Sequence, residues 1–336
     1  MMLGQAALAA AYAGADHGKR QELIEAIQRE YETLKKTATT GPKIITSKEL
    51  MRKTFTPRKW VVENLIGPGL SILSGASKIG KSWLLFALAE SASTGGKFLD
   101  YYTVNKTSVL HLSLEDTERG IKERREILRQ KQRGFSGADN LFIATEWDTG
   151  PSGLETYLRA HNEIEFVIID TLGAFMPDIE DMNEYADTVK AMRVIKKIAD
   201  TLDISILAVH HAKKGSGKEN QGDWMDQSLG SQGIVGSADT VILLQRDIEK
   251  TTEYWTDKEG KKHNKTVSTG KRLNTGRLYA TGRSIKDTFH KVEYFPDFGM
   301  WGITDKGKDH QNQNGERDET DPSHSEKILT RETVKE

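Results

Sequence analysis

Apolar residues in the middle of the chain follow two rhythms that take turns. Short, nearly continuous apolar runs lie at Leu70–Leu73, Ser108–Leu112, Leu141–Ala144, Phe166–Ile169, Ile204–Val209 and Thr240–Leu244. Runs without a polar residue at every second position predict strands covered on both faces, as in a parallel sheet. Between them, Ser82–Ser93, Arg119–Gln132, Ser152–Asn162 and Tyr185–Leu202 read as helices. This alternation predicts an α/β fold: a doubly wound, mostly parallel sheet with its ligand at the carboxyl ends of the strands. Beyond Lys250 the rhythm changes to short alternating strands, Arg277–Thr281 and His290–Tyr294, which predict an antiparallel C-terminal extension of the same sheet.

The two ends of the chain are patterned differently. Leu23, Ile24, Ile27, Tyr31 and Leu34 form one stripe at helical spacing, and Thr37–Pro42 reads as a hinge after it. Residues 1–45 are therefore expected to be a helical appendage, packed on its own core or docked on a neighbouring subunit. From 305 to 336 only Ile328, Leu329 and Val334 are large and apolar, so that tail is expected to be disordered. The core is expected at 46–304. With 36% hydrophobic and 29% charged residues, the chain has a globular balance, and no apolar run approaches the ~18 residues of a membrane span. Ala6–Ala13 lacks the basic start of a signal peptide, and a cytoplasmic protein without membrane association is the simplest fit. The absence of cysteine excludes disulfides, thiolate metal sites and cysteine nucleophiles. A formal net charge of −1 gives no overall attraction to nucleic acid, so any such reading must rest on a local segment.

The first chemical signal is Gly75-Ala76-Ser77-Lys78-Ile79-Gly80-Lys81-Ser82, a complete phosphate-binding octet between a predicted strand and a predicted helix. Its glycines let successive backbone N–H groups turn inward around a phosphate, and the helix N-terminus adds partial positive charge. Lys81 is expected on the β- and γ-phosphates and Ser82 on Mg²⁺, so ATP and Mg²⁺ are the expected ligands. Asp170 closes the Phe166–Ile169 run, where it would complete the magnesium site through water. The residue after it is Thr171, not the acid found there in many ATPases. A water-orienting carboxylate is instead expected at Glu115, with Asp116 as the fallback. This placement assumes that the Val109–Leu114 strand neighbours the phosphate-loop strand. His210 and His211 close a further strand, and adjacent strand residues face opposite ways, so the two cannot grip one metal. One of them could instead contact the γ-phosphate. The segment Lys213–Ser237 that follows is rich in glycine and serine and carries Lys213, Lys214 and Lys218, a composition that can track a phosphate backbone without reading bases.

Taken together, these segments resemble the RecA-fold ATPases of the RepA type, hexameric helicases of plasmids and phages related to the DnaB replicative helicases. The resemblance rests on Gly75–Ser82, Glu115, Phe166–Gly173, Val209–Lys214, Gly230-Ser231 and Gly236-Ser237-Ala238-Asp239. It is extended by Trp60–Gly69, Val241–Arg246 and Thr281-Gly282-Arg283. It implies a RecA-like P-loop core, with Glu115 as the catalytic glutamate and His211 as the switch that relays hydrolysis. It further implies that Lys213, Lys214 and Lys218 lie in a central-channel loop on single-stranded DNA, inside a homo-oligomeric ring hexamer. An arginine supplied by the neighbouring subunit is implied too. Arg283 is the first choice and Arg246 the second, with Arg272 and Arg277 nearby. The function implied is an ATP-dependent DNA helicase or translocase in phage- or plasmid-like DNA replication. The alternatives are a single-strand-binding recombinase-like or regulatory ATPase that does not unwind, and a nucleotide-dependent interaction module.

Overall fold

The computed structural model of the protein describes residues 44–131, 138–176, 185–211, 236–256 and 261–305. The Leu23–Leu34 stripe, Lys213, Lys214, Lys218 and residues 306–336 lie outside the described residues. The chain divides into two units, Met1–Pro57 and Arg58–Glu336. Within the first, a short helix α1 (Ser47–Arg52) is closed by a capping box. The Thr46 hydroxyl accepts from Glu49 N at 3.2 Å, and the Glu49 carboxylate accepts from Thr46 N at 2.8 Å.

In the second unit a nine-stranded sheet forms the frame. Its parallel part consists of β1 (Gly69–Gly75), β4 (Ser108–Ser113), β5 (Leu141–Ala144), β6 (Ile164–Asp170), β7 (Ser205–His211) and β8 (Thr240–Thr256). Then β9 (Lys262–Gly282), β10 (Thr288–Phe295) and β11 (Met300–Ile303) continue it antiparallel. The spatial order is β11-β10-β9-β8-β1-β7-β6-β4-β5, and β2 (Gly96–Phe98) with β3 (Tyr102–Val104) makes a separate hairpin. This is the expected α/β arrangement, but β9 runs for 21 residues instead of forming a short strand. Its polar, lysine-bearing first half has no apolar alternation to betray it.

Alternate residues of the parallel strands point into two cores, which is why those strands read as unbroken apolar runs. On one face Leu73, Val109, Phe166, Ile168, Leu207 and Val209 pack on helix α2 (Lys81–Thr94). That helix is enclosed on nearly every side: residues Leu84 through Ser93 are all buried, Glu90 among them in an ion pair with Arg125. Helix α3 (Glu118–Lys131) adds Ile121 and Leu128 against Phe86. On the other face Leu70, Ile72, Leu110, Val167, Ile169, Ile206 and Ala208 meet three further helices, α4 (Gly150–Ala160), α5 (Leu172–Phe175) and α6 (Tyr185–Leu202). Met192, Ile195, Ile198 and Ala199 form the buried stripe of α6, at the spacing an amphipathic helix requires. No helix among the described residues is long and apolar enough to cross a membrane.

Candidate nucleotide site

The carboxyl ends of β1, β7, β6 and β4 line up in that order, and each delivers one chemical group to the same edge. After β1 the chain turns through Gly75–Gly80 into α2. Gly80 sits at φ +102°, a left-handed region closed to side chains, and a Cβ there would also lie 3.0 Å from Trp301 Nε1. That indole donates to Gly80 O at 3.2 Å and braces the start of the helix. Lys81 turns back on its own loop, where its ammonium donates to Gly75 O and Ala76 O at 2.8 Å each. Burial pushes this ammonium down to about 8, with Asp170 and Glu115 pulling the other way and Arg272 adding to the depression.

Asp170 ends β6 on the far side of β7. Burial raises its carboxyl to about 6, the Ser82 hydroxyl opposes this by hydrogen bonding to it, and Glu115 and Asp116 add to the rise. A buried carboxyl with acidic neighbours and a serine hydroxyl beside it is a set of hard oxygen donors short of positive charge. Those are the properties that suit Mg²⁺.

Glu115 follows β4, which is not the neighbour of β1 as the sequence reading supposed. Strands β7 and β6 lie between them. The carboxylate still arrives, because Thr171 after β6 donates its hydroxyl to Glu115 Oε1 at 2.7 Å. Glu115 Oε1 also lies 3.6 Å from His211 Nε2. Asp116 is engaged elsewhere, in an ion pair with Arg124 and in a 3.2 Å bond from the Ser113 hydroxyl. The guanidinium of Arg124 is itself stacked over Trp83 and Phe86.

The two histidines at the end of β7 diverge as strand geometry requires. His210, opposite Ser74, is buried, and burial lowers its imidazole to about 4, helped by His211 and Lys81. His211, opposite Gly75, turns to the phosphate loop, with Nδ1 3.1 Å from Lys81 Nζ. Burial, then Lys81, holds its imidazole below the usual range, while Glu115 pulls it up. His211 thus stands between Lys81 and Glu115.

The arginines separate by position. Arg283 lies at the other edge of the sheet, where it meets Asp239 Oδ1 at 3.4 Å and donates to Gly236 O at 3.1 Å. Asp239 Oδ2 accepts from Leu70 N at the start of β1 at 3.0 Å, so the five residue steps from Leu70 to Gly75, roughly 17 Å, separate this anchor of Arg283 from its own phosphate loop. Arg246 stays near the phosphate loop of its own chain, stacked 4.9 Å over Tyr294 and 5.9 Å from the Trp301 ring, with Nε donating to Leu273 O at 2.5 Å. Arg272 grips the phosphate loop from behind, donating to Lys78 O at 2.6 Å and Ser77 O at 3.0 Å. Arg277 lies 3.6 Å from Asp247.

Sequence reasoning missed Thr171, Trp301 and the loop-holding role of Arg272. Thr171 could have been found, because it directly follows the strand-end aspartate. Trp301 and Arg272 carried no signal, since only the strand order brings β11 and β9 to the loop.

The sequence matches the AAA-domain family over residues 42–217, slightly more than half of the chain. The chain belongs to the AAA-domain family. The match takes in the phosphate loop, Glu115, Asp170 and His211, the groups that the geometry gathers at one edge. In fold this AAA domain is similar to a solved structure of a DnaB-like replicative helicase, studied with its interactions with primase. The two are 16% identical, with a TM-score of 0.50 over 89% of this chain and 74% of that one. Their shared feature is the RecA-type frame, a large mostly parallel sheet with antiparallel strands added at one side.

Proposed function

We propose that this AAA domain is an ATP-hydrolysing motor on single-stranded DNA, a ring-forming helicase or translocase of the RepA type. The observation that carries the reading is the convergence of Lys81, Ser82, Asp170, Glu115 and His211 at the ends of four adjacent strands. Lys81 and the loop amides hold the β- and γ-phosphates. Ser82 and Asp170 would hold Mg²⁺, which supplies charge neutralisation on the phosphate oxygens when bound. Glu115, oriented by Thr171, accepts a proton from the attacking water. Arg283 lies too far from its own loop to act there, so its part is to reach the nucleotide of a neighbouring copy and stabilise charge on the transferring phosphoryl group.

His211 supports the coupling step. It contacts Lys81 and approaches Glu115, and it immediately precedes the segment with Lys213, Lys214 and Lys218. When the γ-phosphate leaves, the balance of charge around its imidazole changes, and a displaced strand end carries the basic segment along the DNA. Replacing all three lysines with Ala is expected to remove DNA-stimulated ATPase and keep the basal rate. The salt dependence of single-strand affinity should flatten by roughly 0.7 per lost contact. Unchanged affinity and salt slope would reject this segment as the DNA contact. Negative-stain microscopy with ATP separates the ring motor from a recombinase-like protein, since closed rings support the first and filaments on DNA the second.

A further inference from the structure

Beyond Arg246 the β8–β9 ladder loses its sheet partners. β1 pairs with β8 only along Thr240–Leu243, and β10 pairs with β9 only along Thr275–Ala280. From Lys250 to Thr256 and Lys262 to Ser268 the two strands pair only with each other among the described residues. Since β8 runs parallel to β1, this two-stranded arm leaves the sheet at its nucleotide edge. At its root sits Arg272, whose guanidinium holds Ser77 O and Lys78 O of the phosphate loop.

The arm carries an unusual surface. On one side Trp255 stacks on His263 across the strands, with ring centroids 5.5 Å apart and planes 17° apart. On the other side Tyr254 lies opposite Asn264, and the two aromatic side chains remain 49% and 78% exposed. Across 248–272 the sequence holds seven basic residues, Lys250, Lys258, Lys261, Lys262, Lys265, Lys271 and Arg272, against four acids, in a chain whose net charge is −1. Of these, Lys271 pairs with Glu249 at 3.0 Å and Arg272 holds the phosphate loop. Threonine and serine fill most of the rest, and Ile248 and Val267 are the sole aliphatic side chains there. A subunit contact would call for a continuous apolar patch with few lysines. Exposed rings among lysines instead match a single strand, which offers a base face to each ring and phosphates to the ammonium groups.

We propose that the β8–β9 arm is a second binding surface for single-stranded nucleic acid, with Trp255 as its stacking platform. The choice of ligand rests on the single-strand reading above, while the arm itself is argued from its own exposure and charge. The test is fluorescence anisotropy with a labelled oligothymidylate on the full chain, comparing wild type, Trp255→Ala and Trp255→Phe. Trp255→Ala should bind about 5- to 150-fold more weakly, the range of one lost stacking contact. Trp255→Phe should recover most of the affinity, and neither variant should change thermal stability or basal ATPase. Equal affinity for Trp255→Ala and wild type would overturn the proposal. So would a loss of assembly by sedimentation with DNA affinity intact, which would make the arm a subunit contact, or tighter binding to duplex than to single strand. Absence of any oligonucleotide binding by wild type would overturn the single-strand reading as well. If the triple lysine variant loses binding and Trp255→Ala keeps it, the arm alone fails.

Discussion

His111 gives the sharpest test of the physical picture, because it is a titratable group buried with nothing to satisfy it. It lies in the middle of β4, wholly inaccessible, against the Phe86 ring at 4.8 Å, and neither ring nitrogen has a hydrogen-bond partner. Burial depresses its imidazole to about 3, and the positive charge of Arg124 adds to the effect. A depressed histidine is neutral in the fold and protonates more readily in the unfolded chain. Its contribution to stability is therefore complete above an unfolded pKa of about 6.5 and is lost as pH falls toward the folded value. At about pH 5 the unfolded chain already holds the proton, and the linkage is worth about 2 kcal/mol. The folded value scarcely enters that figure as long as it stays below about 4. Replacement with Leu removes the titration and the unpaired nitrogens together, and a swap of this kind is close to neutral or stabilising. Urea unfolding of wild type and His111→Leu at about pH 7.5 and pH 5 should give a variant no less stable at the higher pH. Relative to wild type, it should gain about 2 kcal/mol at the lower pH. Other histidines titrate in both proteins and cancel in the difference. Parallel pH curves for the two proteins would refute the reasoning, since they would mean that the imidazole is solvated or partnered in the fold.

Two further outcomes address the site. Glu115→Gln should still bind nucleotide but turn over ~10²- to 10⁴-fold more slowly in a steady-state phosphate-release assay, with Thr171→Val losing a smaller part of the rate. Normal hydrolysis by Glu115→Gln together with failure of Asp116→Asn would assign the proton-accepting role to Asp116 instead. Mixing Arg283→Ala subunits with Lys81→Ala subunits should restore part of the ATPase lost in each, because some mixed interfaces then join an intact lysine to an intact arginine. Absence of rescue at every mixing ratio would count against a role across the subunit boundary.

The local part of this protein was legible in its sequence. Apolar runs of strand length and the intervening helical stripes fall where β1, β4, β5, β6, β7 and α2, α3, α4, α6 form, because covering a strand on both faces leaves no room for polar alternation. The phosphate loop was legible for a related reason. Its shape depends on a contiguous octet, whose glycines at 75 and 80 adopt the positive φ that the turn requires.

What came only from the tertiary structure was everything that depends on strand order. The sequence put Glu115 at a strand end but supposed that strand to neighbour β1. The sheet instead places β4 third from it, with Thr171 bridging the gap. The sequence ranked Arg283 first and Arg246 second for one role across a subunit boundary, with Arg272 and Arg277 nearby, but gave none of them a place. Packing sends Arg283 to the far edge, stacks Arg246 on Tyr294, and turns Arg272 onto the phosphate loop. The long β8–β9 arm was invisible for the opposite reason, since its two strands satisfy each other and bury almost nothing, so no apolar pattern announces them. A chain's own hydrophobic rhythm decides which segments become strands and helices. Which of them stand side by side is decided by the burial and pairing of all of them at once.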